Sequence, residues 1–362
     1  LNPKEIAELK TELQSLGVRV EADPPRREGG AGPAEGITLI IEGISATVPT
    51  IPRLAGKSPY SLKEKKGKFE LFQDGISRGE VRLGGLARFY DELDAQGRPL
   101  RLSALLHGQD CLASTVNQVC AYYAQGKGCR FCGIGISLER GQTVALKDPE
   151  TLARAARKAK ELDGVKHVTL TTGTQATPDR GIAELARAAR TIKEATELPI
   201  HVQTLPPDDL TWLKHLADNG VDTIGIHIET FAPRIRKQIS ISKSELSLEC
   251  FVEAWKRAVD IFGRGQVSSY LIVGLGEEDE DVIGGAGLLA ELGVYPFIVP
   301  FRPIPGTPME NHSPPAPKRM KKIYREAKTI LRRNNLSARE VKAGCVRCGA
   351  CSALPIYETI PD

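Results

Sequence analysis

Beyond Ala113, short apolar runs alternate with amphipathic stretches of helical period, and that alternation restricts the chain to a parallel sheet covered by helices. The strand-like runs span residues 115–120, 165–171, 200–204, 222–229, 267–275 and 295–301. Helical stretches separate or follow them at 149–162, 181–196, 209–219, 246–262, 279–292 and 317–335. Six strand-then-helix units in series, joined by right-handed crossovers, predict an α/β fold built on a partial (β/α)6 TIM-like barrel.

The first hundred residues follow a different pattern. Asn2-Pro3-Lys4-Glu5 opens a short amphipathic helix that Gly17 stops, and residues 24–36 form a loop rich in glycine and proline. Two hairpin patterns follow, 38–48 around Glu42-Gly43 and 69–83 around Asp74-Gly75. The predicted organisation is an N-terminal α+β extension over 1–105, the barrel over 106–336, and a C-terminal cysteine-bearing segment over 337–362.

A net charge of +4 over 362 residues is too small and too evenly spread to predict a nucleic-acid partner. Local basic runs, residues 63–68 and Arg332-Arg333, read as solvated helix or loop faces. No apolar stretch reaches the roughly 20 residues needed to cross a bilayer, so no membrane association is expected. A start at Leu1 is compatible with a removed leader. Eight cysteines in C-x2-C groupings within a long chain favour thiolates held on metal over disulfides, which predicts a reducing, cytoplasmic setting.

Those cysteines fall into two groups. Cys120-x8-Cys129-x2-Cys132 supplies three thiolates with no histidine or fourth cysteine close behind, a donor set suited to a metal centre that keeps one coordination position open. Cys345-x2-Cys348-x2-Cys351 forms a second tight loop in which Gly349 relieves crowding. Its fourth ligand is open among Cys111, Cys250, Ser352 and a substrate atom. For both triads a structural zinc site is the competing reading. Cys250 lies in a helical pattern and reads as an apolar-like packing residue.

Barrel chemistry gathers where strands end. Thr172-Gly173-Thr174 follows the second strand, Glu229 ends the fourth, Gly274-Leu275-Gly276-Glu277 ends the fifth and Arg302 follows the sixth. All are expected within reach of one cavity, with Gln203 and His227 as polar groups on the substrate side. Arg302 reads either as a bidentate carboxylate clamp or as a salt-bridge partner of Glu229 or Glu277.

With these features the chain resembles the radical S-adenosylmethionine (radical SAM) superfamily. The resemblance implies that Cys120, Cys129 and Cys132 are the catalytic cysteines of a [4Fe-4S] cluster, whose fourth iron binds the methionine end of SAM. The usual spacing is C-x3-C-x2-C, so Cys111 competes with Cys120 as upstream ligand; Cys120, following the first strand, is better placed. By position, Phe131 corresponds to the aromatic near adenine, Thr172, Gly173 and Thr174 to the segment meeting the SAM amino group, and Glu229 to the polar position on strand four. Gly274 and Gly276 correspond to the strand-five motif whose backbone approaches adenine, and Arg302 to a clamp for the SAM or substrate carboxylate.

Within the superfamily the residues resemble the biotin synthase and lipoyl synthase branch through Ile224 to Glu277 and Ile304-Pro305-Gly306-Thr307-Pro308. They are most similar to the radical SAM proteins encoded beside nitrilases, through Gly29-Gly30-Ala31-Gly32-Pro33, Leu105-Leu106-His107-Gly108, Cys111-Leu112-Ala113-Ser114-Thr115 and Ala343-Gly344-Cys345 to Ser352. The resemblance implies an enzyme that cleaves SAM to a 5′-deoxyadenosyl radical and takes hydrogen from a small polar metabolite, a nitrogenous one among the candidates. It also implies a flavodoxin- or ferredoxin-type reductant and a second, auxiliary [4Fe-4S] cluster on Cys345, Cys348 and Cys351, with Cys111 a candidate metal ligand beside them and the fourth position still open. Sulfur insertion, as in biotin and lipoyl synthases, and a non-catalytic Fe-S or zinc protein are the alternatives.

Overall fold

The structure is a computed structural model describing residues 1–21, 36–84 and 86–361. The loop expected at 24–36 lies, apart from Gly36, outside the described residues, as does the Gly29-Gly30-Ala31-Gly32-Pro33 motif.

Asn2 and Glu5 form a capping box at the start of helix Pro3–Leu16, and Gly17, at φ 75°, ends it. Leu9 and Leu13 on one face of this helix pack against a six-stranded sheet. Its strands are β1 (Arg19–Val20), β2 (Gly36–Ile41), β3 (Ile44–Pro49), β4 (Tyr60–Lys65), β5 (Lys68–Gln73) and β6 (Ile76–Gly84), in the order β1-β4-β5-β6-β2-β3. The turns at Glu42-Gly43 and Asp74-Gly75 place both central residues at positive φ, the geometry that matches the twist of a hairpin. Lys66-Gly67 does the same between β4 and β5. The basic run 63–68 is therefore strand, turn and strand, not a helix or loop face: Tyr60 and Leu62 anchor the buried side of β4 while the lysines project from the turn.

The second sheet carries the barrel. Its strands are β7 (Leu105–His107), β8 (Cys111–Thr115), β9 (His167–Thr171), β10 (Ile200–Thr204), β11 (Thr223–Ile226), β12 (Val267–Val273) and β13 (Val294–Pro300). They lie in the order β13-β12-β11-β10-β9-β8-β7, with β8 to β13 parallel and β7 antiparallel to β8. The extra strand arises from a hairpin in which His107 pairs with Cys111 across Gly108, at φ 62°.

The first parallel strand differs from the expected 115–120. It runs over Cys111–Thr115, where the continuous buried run Leu112, Ala113, Ser114 and Thr115 lies, and residues beyond it form a loop. Cys111 thus begins the strand that Cys120 follows, with roughly 13 Å of strand between the two regions.

Helices Pro149–Asp163, Ile182–Thr196, Thr211–Asp218, Leu248–Phe262, Asp279–Glu291 and Pro317–Arg333 cover the outer face. Their apolar sides bury Val168, Leu170, Val202, Ile224 and Ile226. The strand period of two turns the intervening residues inward, and these are polar: His167, Thr169, Thr171, His201, Gln203, Thr223 and His227.

The C-terminal segment crosses the barrel floor, where strands begin. Gly344 N donates to His167 Nδ1 at 3.2 Å, and Thr223 Oγ1 donates to the Ala343 carbonyl at 3.2 Å. Gly344 has φ 96°, and a Cβ there would stand 2.5 Å from His201 Cγ, so only glycine fits.

Candidate active site

The loop after β8 carries Cys120 and is fastened to the loop after β9. Gly173 N donates to Asn117 O at 2.7 Å, Ala121 N to Thr174 O at 2.9 Å, and Gln175 Nε2 bridges the carbonyls of Val119 and Gly173 at 2.9 and 2.7 Å. The backbones approach so closely that a Cβ on Gly173 would lie 2.5 Å from Val119 O and 2.8 Å from Cys120 N. Further along, the Tyr123 hydroxyl donates to the carbonyls of Cys129 and Cys132, which folds the loop so that its thiols face one way.

The three thiols open into a cavity of about 370 Å³ at the carboxyl ends of the strands. Phe131, Thr172, Gly173, Thr174 and Glu229 line it with them, as do Gln203 and His227. Phe131 also packs into an apolar cluster with Ile235, Ile239, Leu275 and Met309, which fixes its ring at the cavity edge.

Glu229 is buried and sits at φ 68°, a left-handed conformation unusual for a non-glycine residue. Glu229 N donates to Tyr270 O at 3.1 Å, and Ile272 N donates to Glu229 O at 2.8 Å, so β12 holds this conformation in place. Lys243, on the short helix Ile241–Ser244, donates to Glu229 Oε1 at 2.5 Å and to His227 O at 2.9 Å. Burial alone would pull the Lys243 ammonium down, but Glu229 and the neighbouring Cys129 hold its pKa above the ordinary value. Burial pushes the Cys129 thiol up to about 12 against the opposing pull of Lys243. Burial likewise raises Cys132. Ligation by a metal would have to displace these protons. Lys243 was not among the residues singled out by sequence: its helix interrupts the crossover between β11 and Leu248–Phe262, where periodicity gave no element.

Three expected residues are not in the lining. Gly274 and Gly276, at φ 104° and 111°, form a turn whose N–H groups are taken by a carboxylate: Gly274 N and Leu275 N donate to the two oxygens of Glu277, each at 2.8 Å. Arg302 lies elsewhere as well. Its guanidinium donates to Thr47 O in the N-terminal sheet at 3.1 Å and feels the charge of Cys351. Glu229 and Glu277 pair instead with Lys243 and Arg319.

A second cavity of about 140 Å³ lies deeper, lined by Cys111, Cys345, Cys348 and Cys351 with His107 and Thr169. Thr171, Gln203 and Tyr270 border both cavities. Gln203 Nε2 donates to Cys345 Sγ at 3.2 Å. His107 Nδ1 is 3.3 Å from Cys348 Sγ and its Nε2 3.5 Å from Cys351 Sγ. Among the described residues no group of three or more His, Cys, Asp or Glu side chains is disposed to hold a single metal ion. A cubane spreads its ligands over different irons, so its thiols need not converge on one point.

Residues 123–286 match the radical SAM superfamily, a stretch that contains Cys129 and Cys132 and begins just after Cys120. The chain is 25% identical over 338 residues to the bacteriochlorophyllide c C-7(1)-hydroxylase of Chlorobaculum limnaeum, covering 86% of this chain and 81% of that protein. It is 28% identical over 207 residues to the biotin synthase of Persephonella marina, covering 55% of this chain and 58% of the synthase. Among solved structures, methylornithine synthase matches with a TM-score of 0.49 and 17% identity over 67% of this chain and 69% of that one.

Proposed function

Starting from a chain that carries a radical SAM domain and is a radical SAM enzyme, we propose that Cys120, Cys129 and Cys132 hold the [4Fe-4S] cluster that the superfamily implies. The observation that carries this reading is the lining of the upper cavity. Three thiols from one loop, and no fourth cysteine, face the same space as Thr172 to Thr174, Glu229 and Phe131. When bound, cluster and SAM together supply a 5′-deoxyadenosyl radical that takes a hydrogen atom from substrate.

The chain's own residues position these groups. Gly173 lets the loop after β9 press against the backbone before Cys120, so the segment facing the SAM amino group and the cysteine loop move as one unit. Lys243 stands beside Cys129 and Glu229 as a buried cation suited to a carboxylate, whereas the Arg302 guanidinium donates to Thr47 O. Phe131 closes the apolar side where an adenine would stack. Thr171, Gln203, His227 and Tyr270 present hydroxyl, amide and imidazole groups to the inner part of the cavity, which fits a small polar substrate. Within this reading Gly274 and Gly276 shape the turn that carries Leu275 into the apolar cluster on which Phe131 packs.

The same reading assigns an auxiliary [4Fe-4S] cluster to Cys345, Cys348 and Cys351, in a segment 337–362 that follows an extension 1–105 and a (β/α)6 barrel 106–336. The reading takes a small polar, nitrogenous metabolite as substrate, a flavodoxin- or ferredoxin-type donor as reductant and, from the cysteine usage, a reducing compartment. No helix among the described residues is long and apolar enough to cross a membrane.

Anaerobic reconstitution followed by a SAM-cleavage assay under dithionite tests the proposal. Formation of 5′-deoxyadenosine and methionine, lost in Cys120→Ala, Cys129→Ala and Cys132→Ala and retained in Cys250→Ala, is the expected result. Cleavage that survives removal of Cys120 would reject this ligand set.

A further inference from the structure

Barrel strands and the C-terminal segment together line the deeper cavity. Of the side chains that sequence leaves open as a fourth ligand, Cys111 alone lines it with the C-terminal triad, its Sγ 3.3 Å from Thr169 Oγ1. Ser352 is committed elsewhere, its Oγ donating to Ile298 O at 2.6 Å. Cys250 sits on the outer helix Leu248–Phe262, in the electrostatic surroundings of Arg180, Asp208 and Glu253.

Around these four sulfurs the fold buries cationic groups. Lys10, 2% exposed on the N-terminal helix, donates its Nζ to Gly349 O at 2.8 Å within range of Cys348 and Cys351. Four residues along, Gln14 Nε2 donates to Ala350 O at 2.9 Å. His107 contacts two of the sulfurs, and Arg302 faces Cys351. A buried lysine costs several kcal/mol unless negative charge compensates it, and the Gly349 carbonyl supplies only part of that compensation. A centre held by four thiolates carries net negative charge and would supply the rest. Gly108 makes room for it: a Cβ there would stand 2.7 Å from Cys348 Sγ.

We infer that Cys111 closes the C-terminal triad into a four-thiolate iron-sulfur centre, and that Lys10 of the N-terminal helix is its buried counter-charge. This rests on the C-terminal cysteines being cluster ligands at all. Full ligation leaves no iron open to a substrate, so such a centre would not be a substrate anchor; Gln203 and Tyr270 stand between it and the cavity above.

The test uses the full chain with the first triad removed, Cys120→Ala/Cys129→Ala/Cys132→Ala, reconstituted anaerobically. Iron, zinc and labile sulfide are counted and the reduced electron paramagnetic resonance spectrum is recorded. About four irons per chain with a spectrum indifferent to SAM are expected. Adding Cys111→Ser should cut iron by at least half or change the spectrum, whereas adding Cys250→Ser should change neither. Lys10→Met should keep the iron and shift the midpoint potential to more negative values, a readout that remains if the Cys111 variant folds poorly. Zinc, or no metal, in the triple variant would overturn the reading of the C-terminal cysteines. Iron that is insensitive to Cys111→Ser would overturn closure alone, and an unchanged midpoint in Lys10→Met would overturn the counter-charge role.

Discussion

Gly173→Ala puts the proposed architecture under the sharpest strain. The new methyl would lie 2.5 Å from Val119 O, 2.6 Å from Val119 C and 2.8 Å from Cys120 N. Ordinary C···O contacts fall at about 3.3–3.6 Å, so one backbone must retreat by roughly 1 Å. All three obstructing atoms belong to the main chain, and no rotamer change relieves them. The two backbone bonds that join these loops, Gly173 N to Asn117 O and Ala121 N to Thr174 O, would stretch with the displacement. Overpacking of this kind costs about 1–3 kcal/mol, and a misplacement near 1 Å at a reacting centre costs about 100-fold in rate. Iron content, urea unfolding and SAM cleavage measured side by side separate the two effects. The expectation is modest destabilisation with cleavage depressed about 100-fold. Wild-type cleavage and stability in Gly173→Ala would refute the claim that this contact positions Cys120.

Other perturbations have opposite signs at neighbouring positions. In helix Asp279–Glu291, Gly284→Ala meets nothing within 4 Å and should stabilise by about 0.8–1.0 kcal/mol, whereas Gly285→Ala would stand 2.1 Å from Phe231 Cδ2 and should destabilise by about 1–3 kcal/mol, both read by urea unfolding. Lys243→Met strands the buried Glu229 carboxylate and should cost about 3–5 kcal/mol, while the double variant with Glu229→Leu should recover most of it in a double-mutant cycle. Burial, with a smaller contribution from His167, lowers the pKa of His201 to about 3. Below about pH 6.5 the unfolded chain therefore binds a proton that the folded chain refuses, and stability falls by about 1.4 kcal/mol per pH unit. Between pH 6.5 and 5.0 that is about 2 kcal/mol, detectable as a steeper loss of urea midpoint than in His201→Gln.

Sequence and structure agree most closely where a local rule acts alone. Period-two patterns and Asn2, Gly17, Glu42-Gly43 and Asp74-Gly75 announce helix ends and hairpins, because capping and positive φ are decided within a few residues. The first barrel strand was harder to read. Cys111 to Val116 is uniformly buried, so no alternation marks its start, and the apparent strand at 115–120 is its end plus the cysteine loop. That shift moves Cys111 from the company of Cys120 to that of Cys345, Cys348 and Cys351.

Long-range pairings were not legible. Lys243 joins Glu229 across a crossover, Lys10 joins Gly349 across 339 residues, and Arg302 turns to Thr47. Each depends on how loops return to the sheet, which no spacing in the chain encodes. A buried lysine at position 10 reads in sequence as one more solvated charge on an amphipathic helix; burial is what marks it.

Hyperfine spectroscopy on the reduced, reconstituted enzyme with SAM isotopically labelled in its amino and carboxylate groups tests the central claim most directly. Should Cys120, Cys129 and Cys132 leave one iron to SAM, its nitrogen and oxygen nuclei will couple to the cluster spin, and the coupling will vanish in Cys120→Ala. A cluster whose spectrum is the same with and without SAM, or a metal held there by four side chains, would contradict the account.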